Sequence, residues 1–232
     1  PALSQPQAIS SRGVIRTDVN QGNLRHKWRT MLALTSAHAL LLADLQQMLR
    51  RIQRDVGFTY VKFNGILSDE MHLYGENAAG RVQLSFAYVD KALDFLLSIG
   101  LKPFIQLGFM PEALSKENVH RFQYSISAPS SSEKWCAMID QLIDHLQRRY
   151  GEEEVRSWLF CLWDQPDLAP EESAFADPTV FCTFYRQTWQ IVKHRDSGIS
   201  FGAPATFYLP RKTVGISGSS TGVQSTSACR IF

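Results

Sequence analysis

The chain has 232 residues, of which 44% are hydrophobic and 20% are charged, and its formal net charge is +2. This composition is that of an ordinary globular domain, so it excludes intrinsic disorder and fibrous architectures. The balance of 24 basic and 22 acidic residues excludes the strongly basic surface of a dedicated nucleic-acid binder, and no direct nucleic-acid contact is expected. No apolar run approaches the length of a membrane-spanning helix, so no membrane partner is expected either.

The cysteines indicate the compartment. Positions 136, 161, 182 and 229 show neither a CxxC motif nor paired spacing. Scattered thiols on apolar segments are typical of core residues in a reducing compartment, with a disulfide as the alternative. The polar segment 1–12 has neither a starting Met nor the apolar region of a signal peptide. Pro1 is therefore interpreted as the edge of a fragment or of a processed chain, and a cytoplasmic location is predicted.

Strand-like and helical patterns alternate along residues 13–210. Alternation of apolar and polar residues predicts a first strand over residues 13–19, and aromatic and apolar density predicts a buried strand over residues 155–163. Further strand-like segments are residues 60–63, 101–107 and 199–203. Apolar residues at helical spacing predict helices over residues 45–56, 89–97, 133–150 and 179–193. Strands separated by long helical segments are expected to be parallel, because antiparallel neighbours are joined by short turns. The fold class is therefore α/β, built of parallel βα units.

Polar residues follow the ends of the predicted strands, where a parallel βα barrel places its active site. Asn64 follows the second strand and Gln106 lies at the end of the third. The fourth strand ends in Trp163, Asp164 and Gln165. An aromatic ring beside hydrogen-bonding groups suits a sugar, whose ring faces stack while its hydroxyls need donors and acceptors. The alternative is the ordinary polarity of strand ends.

Four segments carry a family resemblance: FTYVKFNGILSDEMHLY (58–74), YVDKALDFLLSIGLKPFIQLGFMPEAL (88–114), ISAPSSSEKWCAMIDQLIDHLQRRYGEEEVRSW (126–158) and GAPAT (202–206). In matching order from about Val14 to Pro210, the chain resembles glycoside hydrolase family 39, the β-xylosidase family. The resemblance implies a (β/α)8 TIM barrel, here truncated after about strand five, and retaining hydrolysis of β-xylosides by two glutamates. The same domain occurs fused to AraC-type transcriptional regulators. Residues 25–63 resemble this regulator group at least as closely as they resemble the secreted enzymes of the family.

The chain departs from the family at the strand ends. The family's acid/base glutamate lies in a Trp-Asn-Glu-Pro motif, whereas residues 163–166 read Trp-Asp-Gln-Pro, with Gln165 in its place. A carboxamide can hold the glycosidic oxygen by a hydrogen bond but has no proton to deliver. Because side chains alternate along a strand, Asp164 is expected to point elsewhere and not to substitute. Asn64 stands where the family has a histidine, and Gln106 stands where the family commonly has a glutamate.

The second catalytic carboxylate is also unassigned. The family's nucleophile is a glutamate near strand seven, and no glutamate follows Glu172 in this chain. Residues 211–232 form an irregular tail rich in Gly, Ser and Thr, interpreted as a flexible terminus. The alternative is a frameshift before about Gly215: permissible codons for residues 222–232, read two bases along, spell CAEHQRVPDF, which fits the family's next segment.

Two functions follow from these observations. The first is a catalytically impaired family-39-like domain that binds or senses a carbohydrate, xylose or a xylo-oligosaccharide, as part of an AraC-type regulator. The alternative is a retaining β-xylosidase-type hydrolase, of which this chain is a fragment. Neither a metal nor a cofactor is expected, since the histidines lie far apart in sequence. Open barrel edges, with their unpaired backbone groups, predict self-association.

Overall fold

The computed structural model describes residues 25–34, 36–121 and 124–204. The α-helices are Ala43–Val56 (α1), Ala87–Ser98 (α2), Ser132–Tyr150 (α3), Glu152–Arg156 (α4) and Pro178–Arg195 (α5). The strands are Met31–Ala33 (β1), Tyr60–Phe63 (β2), Tyr74–Glu76 (β3), Val82–Leu84 (β4), Lys102–Leu107 (β5), His120–Arg121 (β6), Tyr124–Ser125 (β7), Leu159–Leu162 (β8) and Ser200–Gly202 (β9).

Five of these strands form one parallel sheet in the order β1-β2-β5-β8-β9, which is also their order along the chain. Helices α1, α2, α3 and α5 lie in the crossovers between successive strands of this sheet. This succession of parallel βα units is the arrangement that the sequence predicts, and it is that of a (β/α)8 barrel. The strands β3 and β4 form a hairpin after β2, and β6 and β7 form another after β5.

The two faces of the parallel sheet differ because successive side chains of a strand point to opposite sides. One face is apolar and shares a buried core with helix residues such as Leu93 and Ile139. Its strand residues are Val61, Phe63, Ile105, Leu107, Phe160 and Leu162. The opposite face carries Lys62, whose Nζ lies 5.8 Å from the ring centroid of Phe104 on the next strand. Burial of the apolar face fixes the sheet against its helices. The opposite face, which carries Lys62, Phe104, Gln106 and Cys161, is called the polar face of the sheet.

The predicted helices are confirmed, and the left-handed Gly57, with φ of 76°, follows the last residue of α1 as a C-terminal cap. The strand predicted over residues 155–163 is wrong in its first half, where residues 152–156 form α4 and only Leu159–Leu162 is extended. Acidic residues 152–154 suit the first turn of a helix, since they face the positive end of its dipole. Val155 and Trp158 are buried, so their apolar character reflects packing and not a strand.

The start of the sheet also differs from the prediction. Residues 13–19, predicted as the first strand, lie outside the described residues, and the sheet contains β1 at residues 31–33, which the sequence analysis missed. Three residues are too few for an alternating pattern to stand out. The predicted terminal segments 1–12 and 211–232, with the frameshift interpretation, also lie outside the described residues. Within the part that is described, no helix combines the length and apolar character needed to cross a membrane.

Candidate functional site

A cleft of about 480 Å³ opens at the carboxyl end of the parallel sheet. Asn64 reaches it from the end of β2, Phe109 from the end of β5, and Asp164 and Gln165 from the end of β8. The remaining wall residues come from the loops above the sheet: Ser36, His38, Ala39, Leu42, Glu70, Arg121 and Tyr124. Three of the predicted site residues, Asn64, Asp164 and Gln165, therefore converge on one cleft.

Gln106 lies beside this cleft but is buried, with 1% of its surface exposed. The register that pairs Phe63 with Ile105 brings Asn64 and Gln106 next to each other on neighbouring strands. Asn64 Oδ1 and Gln106 Nε2 are both buried, and neither has a hydrogen-bond partner among the described residues. Unpaired buried polar atoms cost free energy, so they are uncommon and need an explanation such as a ligand.

The aromatic surface of the cleft differs from the one predicted. Trp163 is 2% exposed, and its ring meets the Phe109 ring edge-on at 5.6 Å between centroids. Phe109 and Tyr124 stack at 4.7 Å with an interplanar angle of 13°, and both line the cleft. Trp163 thus supports the cleft from behind, and a Cβ at Gly108 would come within 3.1 Å of its ring.

The sequence analysis did not name Phe109 or Tyr124 as site residues, for different reasons. Phe109 stands two residues beyond β5, so the position was available from the strand-end argument. Tyr124 reaches the cleft from the β6–β7 hairpin, which is only two residues long on each side. A hairpin of that length leaves no periodic signal in a sequence.

Gln165 is held at the cleft wall by its backbone and by an arginine. Its φ of 48° and ψ of 55° are left-handed, and it precedes the short 3₁₀ turn Pro166–Leu168. The Nη2 group of Arg121 donates a hydrogen bond of 3.0 Å to Gln165 Oε1. Asp164 lines the same cleft as Gln165 although strand alternation predicts opposite sides, because the strand ends at Leu162 and the left-handed Trp163 and Gln165 break the alternation.

Asp164 forms an ion pair with Lys62, which lies on the polar face of the sheet. Its Oδ1 lies 3.6 Å from Lys62 Nζ, and the two side chains are 24% and 25% exposed. The neighbouring Cys161 thiol is buried, which raises its pKa to about 12, although the positive charge of Lys62 acts in the opposite direction. Asp164 therefore connects the cleft wall to Lys62 on the polar face of the sheet.

A second group of carboxylates lies in the loops at the rim. Glu70 lines the cleft, whereas its neighbour Asp69 accepts the backbone N–H of Glu112 at 3.1 Å. Burial raises the pKa of Asp69, although this hydrogen bond opposes the change. Glu112 in turn contacts His120 through its carboxylate. Asp69 thus joins two loops, and Glu70 is the carboxylate of this group that lines the cleft.

These features coincide with a family match. A model of the glycosyl hydrolases family 39 matches residues 14–213. The chain belongs to this family. The family 39 chain is 35% identical over 204 residues to a β-xylosidase of Caldicellulosiruptor saccharolyticus, covering 85% of this chain and 42% of that protein. It is 30% identical over 186 residues to a β-xylosidase of Geobacillus stearothermophilus, covering 78% of this chain and 37% of that protein.

A solved structure supports the same assignment. The family 39 β-xylosidase of Caulobacter crescentus superposes with a TM-score of 0.73 at 29% identity, covering 83% of this chain and 44% of that one. The predicted (β/α)8 TIM-barrel class and the β-xylosidase-like family are thereby confirmed. The family 39 chain spans less than half the length of these relatives.

Proposed function

We propose that this family 39 domain binds a carbohydrate in the cleft at the carboxyl end of its sheet and is impaired in hydrolysing it. The observation that carries the proposal is Gln165, a carboxamide in the place of the acid/base glutamate. Gln165 lies at the cleft wall, bonded to Arg121. A retaining glycosidase needs a carboxyl group there, first to protonate the leaving oxygen and then to deprotonate water.

The character of the cleft supports a sugar as the ligand. The stacked rings of Phe109 and Tyr124 offer an apolar surface. Asn64 and Gln106 offer buried polar atoms that have no hydrogen-bond partner within the described part of the chain. A sugar presents both an apolar ring face and hydroxyls that donate and accept hydrogen bonds. The named relatives are β-xylosidases, so a β-xyloside such as xylobiose is the first ligand to test.

The carboxylates of the described cleft wall do not replace the missing acid. They are Glu70 and Asp164. Asp164 already has a charged partner, because its Oδ1 lies 3.6 Å from Lys62 Nζ. Glu70 lies in the rim turn after β2, on a different strand end from Gln165.

A sensing role within an AraC-type regulator is the biological setting that fits a binding domain without hydrolysis. It is supported by the resemblance of residues 25–63 to that group of regulators. The second candidate function is a retaining β-xylosidase, which is favoured by the identity of 35% to a named β-xylosidase. Hydrolysis separates the two candidates directly.

The test combines binding and turnover on the 232-residue chain. Xylose, xylobiose and a panel of other pentosides and hexosides are added in thermal melts, and p-nitrophenyl β-xyloside is used to follow hydrolysis. A ligand at 100 times its dissociation constant adds about 2.7 kcal/mol of stability, which raises the melting temperature by several degrees. We expect a shift with one sugar and no hydrolysis above that of the buffer.

The controls use substitutions inside and outside the cleft. Asn64→Leu is expected to abolish the ligand-induced shift, whereas Arg81→Met, on an exposed residue beside the β3–β4 hairpin, should leave it unchanged. Hydrolysis that Asn64→Leu removes and Arg81→Met preserves would favour the β-xylosidase. A melting temperature unchanged by every sugar would overturn the binding proposal.

A further inference from the structure

The hydrogen bond between Arg121 and Gln165 determines which way the Gln165 amide faces. A guanidinium group has five N–H donors and no acceptor, so the group that receives its hydrogen bond must be the amide oxygen. The distance of 3.0 Å from Arg121 Nη2 to Gln165 Oε1 agrees with this requirement. The orientation of this amide therefore follows from the chemistry of its partner as well as from the coordinates.

The nitrogen end of the same amide has a different environment from its oxygen. Gln165 Nε2 carries two N–H groups, and among the described residues it has no hydrogen-bond partner. Both Gln165 and Arg121 belong to the wall of the same cleft. Because the amide oxygen already accepts the hydrogen bond from Arg121, the Gln165 amide offers only its N–H donors to a ligand that enters the cleft.

We propose that Arg121 is a positioning residue that fixes the Gln165 amide with its nitrogen toward the cleft, so that this point of the site receives a ligand oxygen that accepts hydrogen bonds. This inference rests on the proposed function, since it concerns the same cleft. An ether or glycosidic oxygen, which accepts but cannot donate, fits such a site, as does a hydroxyl oxygen that accepts. A ligand group that can only donate is disfavoured there.

The same geometry has a consequence for restoring the acid. A carboxyl group introduced by Gln165→Glu would lie within hydrogen-bonding distance of the Arg121 guanidinium. A neighbouring cation lowers the pKa of a carboxyl group, so this group would be ionised at neutral pH and would be a poor proton donor. Gln165→Glu alone is therefore not expected to recreate a general acid.

The first arm of the test needs no sugar. The pKa of the carboxyl group introduced by Gln165→Glu is measured by ¹³C NMR titration, alone and combined with Arg121→Met or with the control Arg81→Met. We expect Arg121→Met to raise this pKa by about one pH unit or more, and Arg81→Met to leave it unchanged. Equal values in all three proteins would overturn the positioning role, whatever the ligand proves to be.

The second arm uses Gln165→Met, Arg121→Met and the double variant, with xylobiose affinity as the readout. Each single substitution is expected to weaken binding about two- to tenfold, and the double variant should be no weaker than Gln165→Met alone. Additive losses would contradict the inference, because they would show that Arg121 acts independently of Gln165. A failure of all sugars to bind counts against the proposed function, while the NMR arm still decides the role of Arg121.

Discussion

Asn64 and Gln106 lie side by side at the carboxyl ends of β2 and β5, one position beyond the Phe63–Ile105 pair, and each buries a polar atom that has no partner among the described residues. Residues selected for stability alone would be expected to satisfy or replace such atoms. The pair is better explained as part of a site whose hydrogen bonds are completed by a ligand.

This explanation predicts that Gln106→Met separates stability from binding. Methionine has nearly the volume of glutamine and removes the unpaired amide, so the free energy of unfolding should stay the same or rise by about 1 kcal/mol. Affinity for the bound sugar should fall. Urea unfolding measures the first effect, and xylobiose titration measures the second.

The matched control is Thr188→Val, which changes a buried polar residue that is fully bonded. Thr188 Oγ1 accepts the indole N–H of Trp135 at 2.9 Å, so the substitution leaves a buried donor unpaired. It should lower the free energy of unfolding by about 1–3 kcal/mol and leave the cleft unchanged. A similar loss of stability in Gln106→Met would show that Gln106 has a structural role instead.

Asp196 is predicted to be important for stability because it joins three helical segments. It is 8% exposed and accepts hydrogen bonds from Arg156 Nε at 2.8 Å, Gln147 Nε2 at 2.7 Å and the backbone N–H of Gly198 at 2.8 Å. Asp196→Ala should lower the free energy of unfolding by about 2 kcal/mol. Chemical denaturation at pH 7 measures this loss.

The comparison for Asp196 is an exposed ion pair on α1. Arg51 and Asp55 are 3.7 Å apart, with 79% and 52% of their side chains exposed. Asp55→Ala should change stability by no more than about 0.5 kcal/mol, because solvent screens such pairs. Equal effects of Asp55→Ala and Asp196→Ala would refute the argument from burial.

Asp177 is predicted to give the chain part of its acid sensitivity. It caps the N-terminus of α5, where the backbone N–H and hydroxyl of Thr179 hold its pKa below the ordinary value. The stabilisation is therefore complete above the unfolded value of about 3.9 and is lost as the pH falls through the folded pKa. Asp177→Asn, which caps without titrating, should weaken the fall in melting temperature between about pH 4 and pH 2.

Asp177→Ala provides the complementary measurement for this cap. It should lower the melting temperature by a few degrees at pH 7, where the carboxylate is ionised, and have a smaller effect at pH 2. Melting curves across this pH range test both variants. An equal effect of Asp177→Ala at the two pH values would show that the carboxylate charge contributes nothing.

Cys161 is predicted to be inert toward thiol reagents in the folded chain. Burial raises its pKa to about 12, so at pH 8 only about one thiol in ten thousand is ionised, and only 3% of the residue is exposed. Mass-spectrometric mapping after iodoacetamide treatment should find Cys161 unmodified without denaturant and modified in urea. Rapid alkylation under native conditions would mean that the polar face of the sheet is open to solvent around Cys161.

The sequence was sufficient for the fold class because the helical periodicity is strong and strands and helices alternate. It was insufficient where elements are short: β1 has three residues, and the apolar Val155 and Trp158 resemble a strand although residues 152–156 are helical. Single residues after a strand could be assigned to the cleft from topology alone, as Asn64 was.

The remainder of the site depends on backbone geometry and on loops. Trp163 and Gln165 have positive φ values of 59° and 48°, which end the strand alternation and allow both Asp164 and Gln165 to line the cleft. The pattern of residue types does not predict these conformations. Arg121 and Tyr124 come from a hairpin far from Gln165 in sequence, so their contribution required the three-dimensional arrangement.

The order of strands in the parallel sheet has a consequence for biosynthesis. Because β1, β2, β5, β8 and β9 are neighbours in the order in which they are translated, each new strand can add to the edge left by the previous one. Among these five strands, none has to insert between two that have already paired. Translation delivers about 5–20 residues per second, which is slow compared with helix and hairpin formation. The connectivity therefore permits the parallel sheet to assemble on the ribosome, beginning with β1.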